Sequence, residues 1–199
     1  MTALGCVLGD AAGLHVTAQL AGTDLSLDLS LPAALGYILP LVGVCLVVNV
    51  AAMCLKESAE PKRDYQSKFA SQVAQLPNWG LGLLALGVGV GEETLFRGFL
   101  QSAATQGRAG VLPAECATAC GLAAASVVFG ALHAITPSYF VFATAAGFVL
   151  GSEYLMYGLQ TAAATHWLYD WIVFNLIIAA WRVRDRNGGG SRSGTGSKR

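Results

Sequence analysis

The sequence predicts an all-α fold, a polytopic transmembrane helix bundle, and three observations carry that prediction. Hydrophobic residues make up 54% of the 199 and charged residues only 12%, with a mean hydropathy of +0.55; a soluble domain carries about 25% charged residues. Uncharged apolar runs recur at the length of ~20 residues that a helix needs to cross a hydrocarbon core. The basic residues gather in one internal stretch and one C-terminal tail, which is the asymmetry of membrane proteins. Formal net charge is zero, so no basic field suits nucleic acid.

Residues 1–30 are mildly apolar but broken by Gly and by Asp10, Asp24 and Asp28, and read as a partial helix and a loop. Residues 31–55 hold no charge and form the clearest span. Residues 56–75 are polar and basic, a solvated loop with room for a short surface helix, and close a first unit of span plus loop over 31–75. The next apolar segment starts near Leu76 and passes through GLGLLALGVGVG into GEETLFRGFL. It is either one long helix to about Ala104 or two helices broken near Gly91. Residues 109–134, 138–157 and 159–181 form three more segments. The result is about five spans, or six if the N-terminal region holds one, with a core over 76–181. Residues 182–199 are rich in Gly, Ser and Arg and read as a disordered basic tail.

With five spans the loop 56–75 and the tail fall on one side. That side collects ten of the twelve basic residues, Arg97 and Arg108 being the other two. The positive-inside rule then puts loop and tail in the cytosol or its stromal equivalent. No Lys or Arg precedes Lys56, so neither a basic secretory leader nor an Arg-rich transit peptide is visible. Either the apolar segments direct insertion, or the natural N-terminus lies upstream. The five cysteines include no CxxC pair and give no disulfide framework. Cys116 and Cys120 read as small packing residues. Gly87/Gly91 and Gly147/Gly151 let helices approach closely. No internal repeat is present, which weighs against an inverted-repeat transporter.

Charges near a bilayer centre cost about 2.5–3.5 kcal/mol each on insertion scales, so those that persist face the protein interior. This chain places Glu92, Glu93, Arg97, His133, His166 and Asp170 in or beside apolar segments. Glu93 and Arg97 are four apart, share a helical face and can pair. Glu92 points about 140° away from Arg97 and stays free for chemistry. A plainer reading makes EETLFR a charge cluster at a helix end on the membrane surface. His133 closes VVFGALHA one turn after Phe129. His166 and Asp170 share a face in THWLYDW, where a plainer reading is a hydrogen bond that satisfies a buried imidazole. Glu153 reads as interfacial, His15 as incidental, and Trp167, Tyr169, Trp171 and Trp181 as packing and anchoring residues.

Together these sites resemble the CPBP family, which groups type II CAAX prenyl endopeptidases with lysostaphin-resistance and abortive-infection relatives. The EExxxR motif is matched by Glu92, Glu93 and Arg97, FxxxH by Phe129 and His133, and the His-x3-Asn/Asp motif by His166 and Asp170. The three stand in order on successive apolar segments and cover roughly residues 76–181. The resemblance implies peptide-bond hydrolysis inside the membrane, on a peptide or protein substrate that includes prenylated ones among the options. By position Glu92 is the general base that activates water, aided by His133. His166 and Asp170 stabilise the oxyanion, and Glu93, Arg97 and Phe129 support the site. Asp170 donates a hydrogen bond only when protonated, so its alternative role is to orient His166. Metal-free chemistry is the favoured version; the alternative is zinc held by Glu92, His133, His166 and Asp170. The LYDW form of the third motif resembles plant and cyanobacterial members, which admits a plastid membrane. Two other classes stand beside the protease: an inactive membrane scaffold that keeps the fold, and an ion or proton carrier built on the same buried groups.

Overall fold

The computed structural model describes residues 1–21 and 29–189. Asp24, Asp28 and the tail beyond 189 lie outside the described residues. Helices follow one another along the chain, and no strand occurs among the described residues. They are α1 (Thr2–Ala11), α2 (Val16–Ala21), α3 (Leu31–Cys54), α4 (Glu60–Val73), α5 (Asn78–Glu93), a π-helical stretch (Thr94–Gln101), α6 (Ser102–Gln106), α7 (Ala114–Leu132) and the run Pro137–Gly189. That last run breaks at Gly158, whose φ of 82° is left-handed, so it is two helices, α8 (137–157) and α9 (159–189). Phe142 meets Tyr169 at 6.3 Å between ring centroids, and Thr165 bonds Glu153 at 2.6 Å. A straight helix would separate Glu153 from Thr165 by about 18 Å, so α8 and α9 fold back on each other as a hairpin.

Among the described residues three runs are long and apolar enough to cross a membrane: Leu31–Cys54, Ala114–Leu132 and Pro137–Arg186. The hairpin divides the third into two. The segment from Leu76 is one rod, because α5 passes through helical backbone at Thr94 and Ser102 into the π stretch and α6 without a break at Gly91. These rods form an all-α membrane bundle. Helix α3 begins at Ser30, whose Oγ accepts from the Ala33 amide, and Pro32 suits the first turn. Leu35, Leu39, Leu46, Val47 and Val50 of α3 stay more than half exposed. A helix this apolar with an open outer face is stable where lipid takes the place of water.

At the ends the helices reach further than the composition suggests. The 56–75 stretch is mostly the 14-residue helix α4, which docks by Ala70 and Ala74 against Ile178 of α9 and by Phe69 against Phe174 at 4.7 Å between ring centroids. The tail was expected to be disordered from 182, but α9 stays helical to Gly189. The Arg182 guanidinium donates to the Ala74 carbonyl at 2.8 Å, so the end of the basic loop and the start of the basic tail share one end of the bundle. Glu57 sits at that end too, accepting from the Ser138 amide and hydroxyl at the start of α8. Hydrogen bonds from Thr136 and Ser138 hold its carboxyl below the usual range. The N-terminal segment belongs to the same packing, because Leu14 and Val16 are buried against Leu159.

Glycines set the helix contacts around the site. A Cβ on Gly89 would lie 2.9 Å from the Trp167 backbone nitrogen, so α5 and α9 cross backbone to backbone at that point. Gly147 and Gly151 of α8 likewise press on Ser126 and Gln101. Gly91 abuts Met1, whereas Gly87 has nothing within 4 Å of where a Cβ would stand.

Candidate active site

The π-helical stretch begins directly after the two glutamates. A π turn adds a residue to the helical repeat, and here it directs Arg97 and Gln101 at α8. The Arg97 guanidinium donates to the Gly147 carbonyl at 3.2 Å, and Gln101 donates to the Gly151 carbonyl at 3.2 Å. Arg97 also lies over the Phe129 ring, 4.8 Å from its centroid. Glu93 and Arg97 are 0% and 1% exposed and pair at 3.0 Å. That burial excludes the reading of EETLFR as a surface cluster.

Glu93 has a second partner. The Nδ1 of His166 on α9 lies 2.7 Å from Glu93 Oε1. A carboxylate only accepts, so this contact fixes the proton on Nδ1 and turns Nε2 toward Glu92. His133 is set the same way from α7. It caps that helix, and its Nδ1 meets the Phe129 carbonyl at 2.7 Å, which again leaves Nε2 facing inward. The Phe129 and His133 rings lie 4.3 Å apart between centroids, so the FxxxH spacing supplies both the stacking surface and the carbonyl.

Glu92 Oε2 lies between the two imidazoles, 3.7 Å from His133 Nε2 and 3.9 Å from His166 Nε2. Asp170 Oδ2 is 3.6 Å from the same His166 Nε2. The structure thus brings together all seven residues singled out in the sequence. Glu92, His133, His166, Asp170 and Phe129 line one cavity of about 570 Å³, while Glu93 and Arg97 stand behind it. Zinc bonded at about 2.0–2.2 Å needs its donors converged on one point. Among the described residues no group of three or more His, Cys, Asp or Glu side chains is so arranged.

The Glu93–His166 contact was not foreseen. It joins residues 73 apart in sequence, and no local spacing signals it. Two further side chains differ from their expected places. Glu153 was read as interfacial, but it is fully buried and accepts from the Thr165 hydroxyl at 2.6 Å. Trp167 and Trp171 do more than anchor: their indole N–H groups donate to the Gly82 carbonyl and to Asn78 of α5. The cavity also has a polar wall absent from the sequence reading, with Asn49 from α3, Lys62 and Gln66 from α4 and Tyr139 from α8.

The bundle of apolar helices thus holds two glutamates, two histidines and an aspartate in and behind one internal cavity. Residues 74–172 match the family described as Type II CAAX prenyl endopeptidase Rce1-like. Through that stretch the chain belongs to the Rce1-like family, a family of membrane endopeptidases. No curated protein and no solved structure matches the chain.

Proposed function

We propose that this chain is a membrane-embedded endopeptidase that hydrolyses peptide bonds with water activated by Glu92, without a metal. The observation that supports this most is the spacing around Glu92 Oε2. At 3.7 and 3.9 Å the two imidazole nitrogens are too far for direct hydrogen bonds, and a water seated beside Glu92 on the cavity side has both nitrogens within its reach. Water held there gives its proton to Glu92 as it attacks the scissile carbonyl, and Glu92 passes that proton to the leaving amine. His133 orients the water through its free Nε2. The oxyanion that forms needs donors. His166 donates from Nε2 only as imidazolium, because its Nδ1 already serves Glu93. Asp170 donates only when protonated. Glu93, held by Arg97, fixes the plane of His166.

Purified protein in nanodiscs, incubated with peptides bearing and lacking a prenyl group, tests the activity. A scaffold or a proton carrier gives no cleavage of either. Asp170 separates the mechanisms. If residue 170 is an oxyanion donor, Asp170→Asn keeps or raises the rate near neutral pH and Asp170→Ala loses about 10²–10³-fold. If it only orients His166, both variants lose activity. If Glu92, His133, His166 and Asp170 bind zinc, a chelator inactivates the wild type and zinc restores it. Such chelator reversal overturns the metal-free mechanism.

The basic loop and tail belong on the cytosolic or stromal side, in line with their shared end of the bundle and the positive-inside rule. With the five native cysteines replaced, single cysteines at Lys68 and Arg186 label from the same face of sealed vesicles. Labelling from opposite faces removes the five-rod topology.

A further inference from the structure

We infer that Lys62 is a specificity-determining residue of the cavity and holds a carboxylate of the substrate while Glu92 works at the scissile bond. This rests on the protease reading above. Among the described residues Lys62 is the single Lys or Arg side chain lining the cavity that contains Glu92 and Asp170. It stands in the first turn of α4, where the helix dipole disfavours a cation and favours an anion, so its position adds to a local positive potential. Its close partners are neutral, and the Glu57 carboxylate, engaged by Thr136 and Ser138, acts on it only at longer range. The ammonium donates to the Asn49 side-chain oxygen at 2.8 Å and lies 5.9 Å from the centroid of the Tyr139 ring. Among the described residues it makes no ion pair. An ammonium has three donors, and Asn49 takes one. The others face a half-buried cavity wall whose remaining lining is largely apolar, where a charged hydrogen bond is stronger than in water.

The sign of the charge decides what binds there. A cationic group is repelled by Lys62 and attracted to the carboxylates of the catalytic end. An anionic group is repelled by Glu92 and Asp170 and attracted to Lys62. A peptide with a carboxylate a short distance from the scissile bond is therefore seated in one direction only. The carboxylate is either a free C-terminus or an acidic side chain.

The experiment uses one pool of apolar fluorogenic heptapeptides prepared as free C-terminal acids, as carboxamides, and as carboxamides with one Glu near the end. Cleavage is read as kcat/KM with wild type, Lys62→Met, Lys62→Arg and, as a control, Lys68→Met on the exposed face of α4. Binding is read separately by fluorescence anisotropy with the Glu92→Gln protein, with and without Lys62→Met. The wild type prefers one carboxylate form over the plain carboxamide by about tenfold or more, the range of a hydrogen bond to a charged group. Lys62→Met lowers that form to the level of the carboxamide, while Lys62→Arg and Lys68→Met keep the preference. Which form is favoured identifies the C-terminus or the side chain. A preference that survives Lys62→Met, or no preference in the wild type, overturns the inference. If nothing is cleaved, the protease reading fails and the anisotropy still decides the role of Lys62.

Discussion

Glu92→Gln abolishes peptide-bond cleavage and leaves the fold in place. The amide has nearly the shape of the carboxylate but cannot accept the proton of water. Positioned general bases contribute about 10²–10⁴-fold in rate, and here the same group also has to reprotonate the leaving amine. Stability changes little because Glu92 makes no close hydrogen bond that the substitution breaks: its imidazole neighbours stand at 3.7 and 3.9 Å. The check is kcat in nanodiscs alongside a thermal melt of the same preparation. A Glu92→Gln protein that cleaves at the wild-type rate removes the general base from this position. A protein that loses activity only because it unfolds shows a lowered melt and is separated by that measurement.

Arg97→Ala has the opposite profile. Arg97 is 1% exposed and its partner Glu93 is 0% exposed. Removing one partner of a buried ion pair leaves an uncompensated charge and costs about 3–5 kcal/mol. The substitution also deletes the contact with the Gly147 carbonyl and the packing on Phe129, so it loosens the joint between the π stretch and α8. His166 loses its fixed plane when Glu93 moves, and activity falls with stability. Arg97→Lys keeps the charge but not the fork that spans Glu93 and Gly147, and falls between Ala and wild type. Denaturation in a graded series of denaturant detergent measures all three. An Arg97→Ala protein as stable as wild type would falsify the assignment of Glu93 and Arg97 as the buried support.

Much of this arrangement was legible in the sequence, and for physical reasons. Charge is costly in lipid, so each ionisable residue inside an apolar run marked the interior. Helical periodicity then paired Glu93 with Arg97 and left Glu92 free, which is how the structure places them. The rods from 31 onward followed from apolar length. What stayed hidden were properties that no short window contains. The π-helical stretch Thr94–Gln101 has no composition of its own; it arises from how Arg97 and Gln101 meet glycine carbonyls on another helix. The Glu93–His166 bond depends on the crossing at Gly89, whose closeness only the partner backbone reveals. Glu153 read as interfacial because it stands near a helix end, but the hairpin folds α9 over that end. Lys62 stands in a polar, basic stretch whose composition marks it as solvated, and its position under the bundle end is a tertiary fact.

The hairpin has no loop: two long helices meet at Gly158 alone. The left-handed φ of 82° there is a conformation glycine adopts without penalty, and the space around it is open. The geometry is that of a lever with a one-residue fulcrum. His166 stands about 12 Å along α9 from that fulcrum and Asp170 about 18 Å. A 10° error at the fulcrum therefore swings the two groups by roughly 2 and 3 Å, several times the ~0.5 Å within which working sites are held. Alignment of the third motif with the first two is thus referred to a backbone angle far from either, and the crossing at Gly89, against Ala163 and Trp167, clamps the moving arm beside His166 itself.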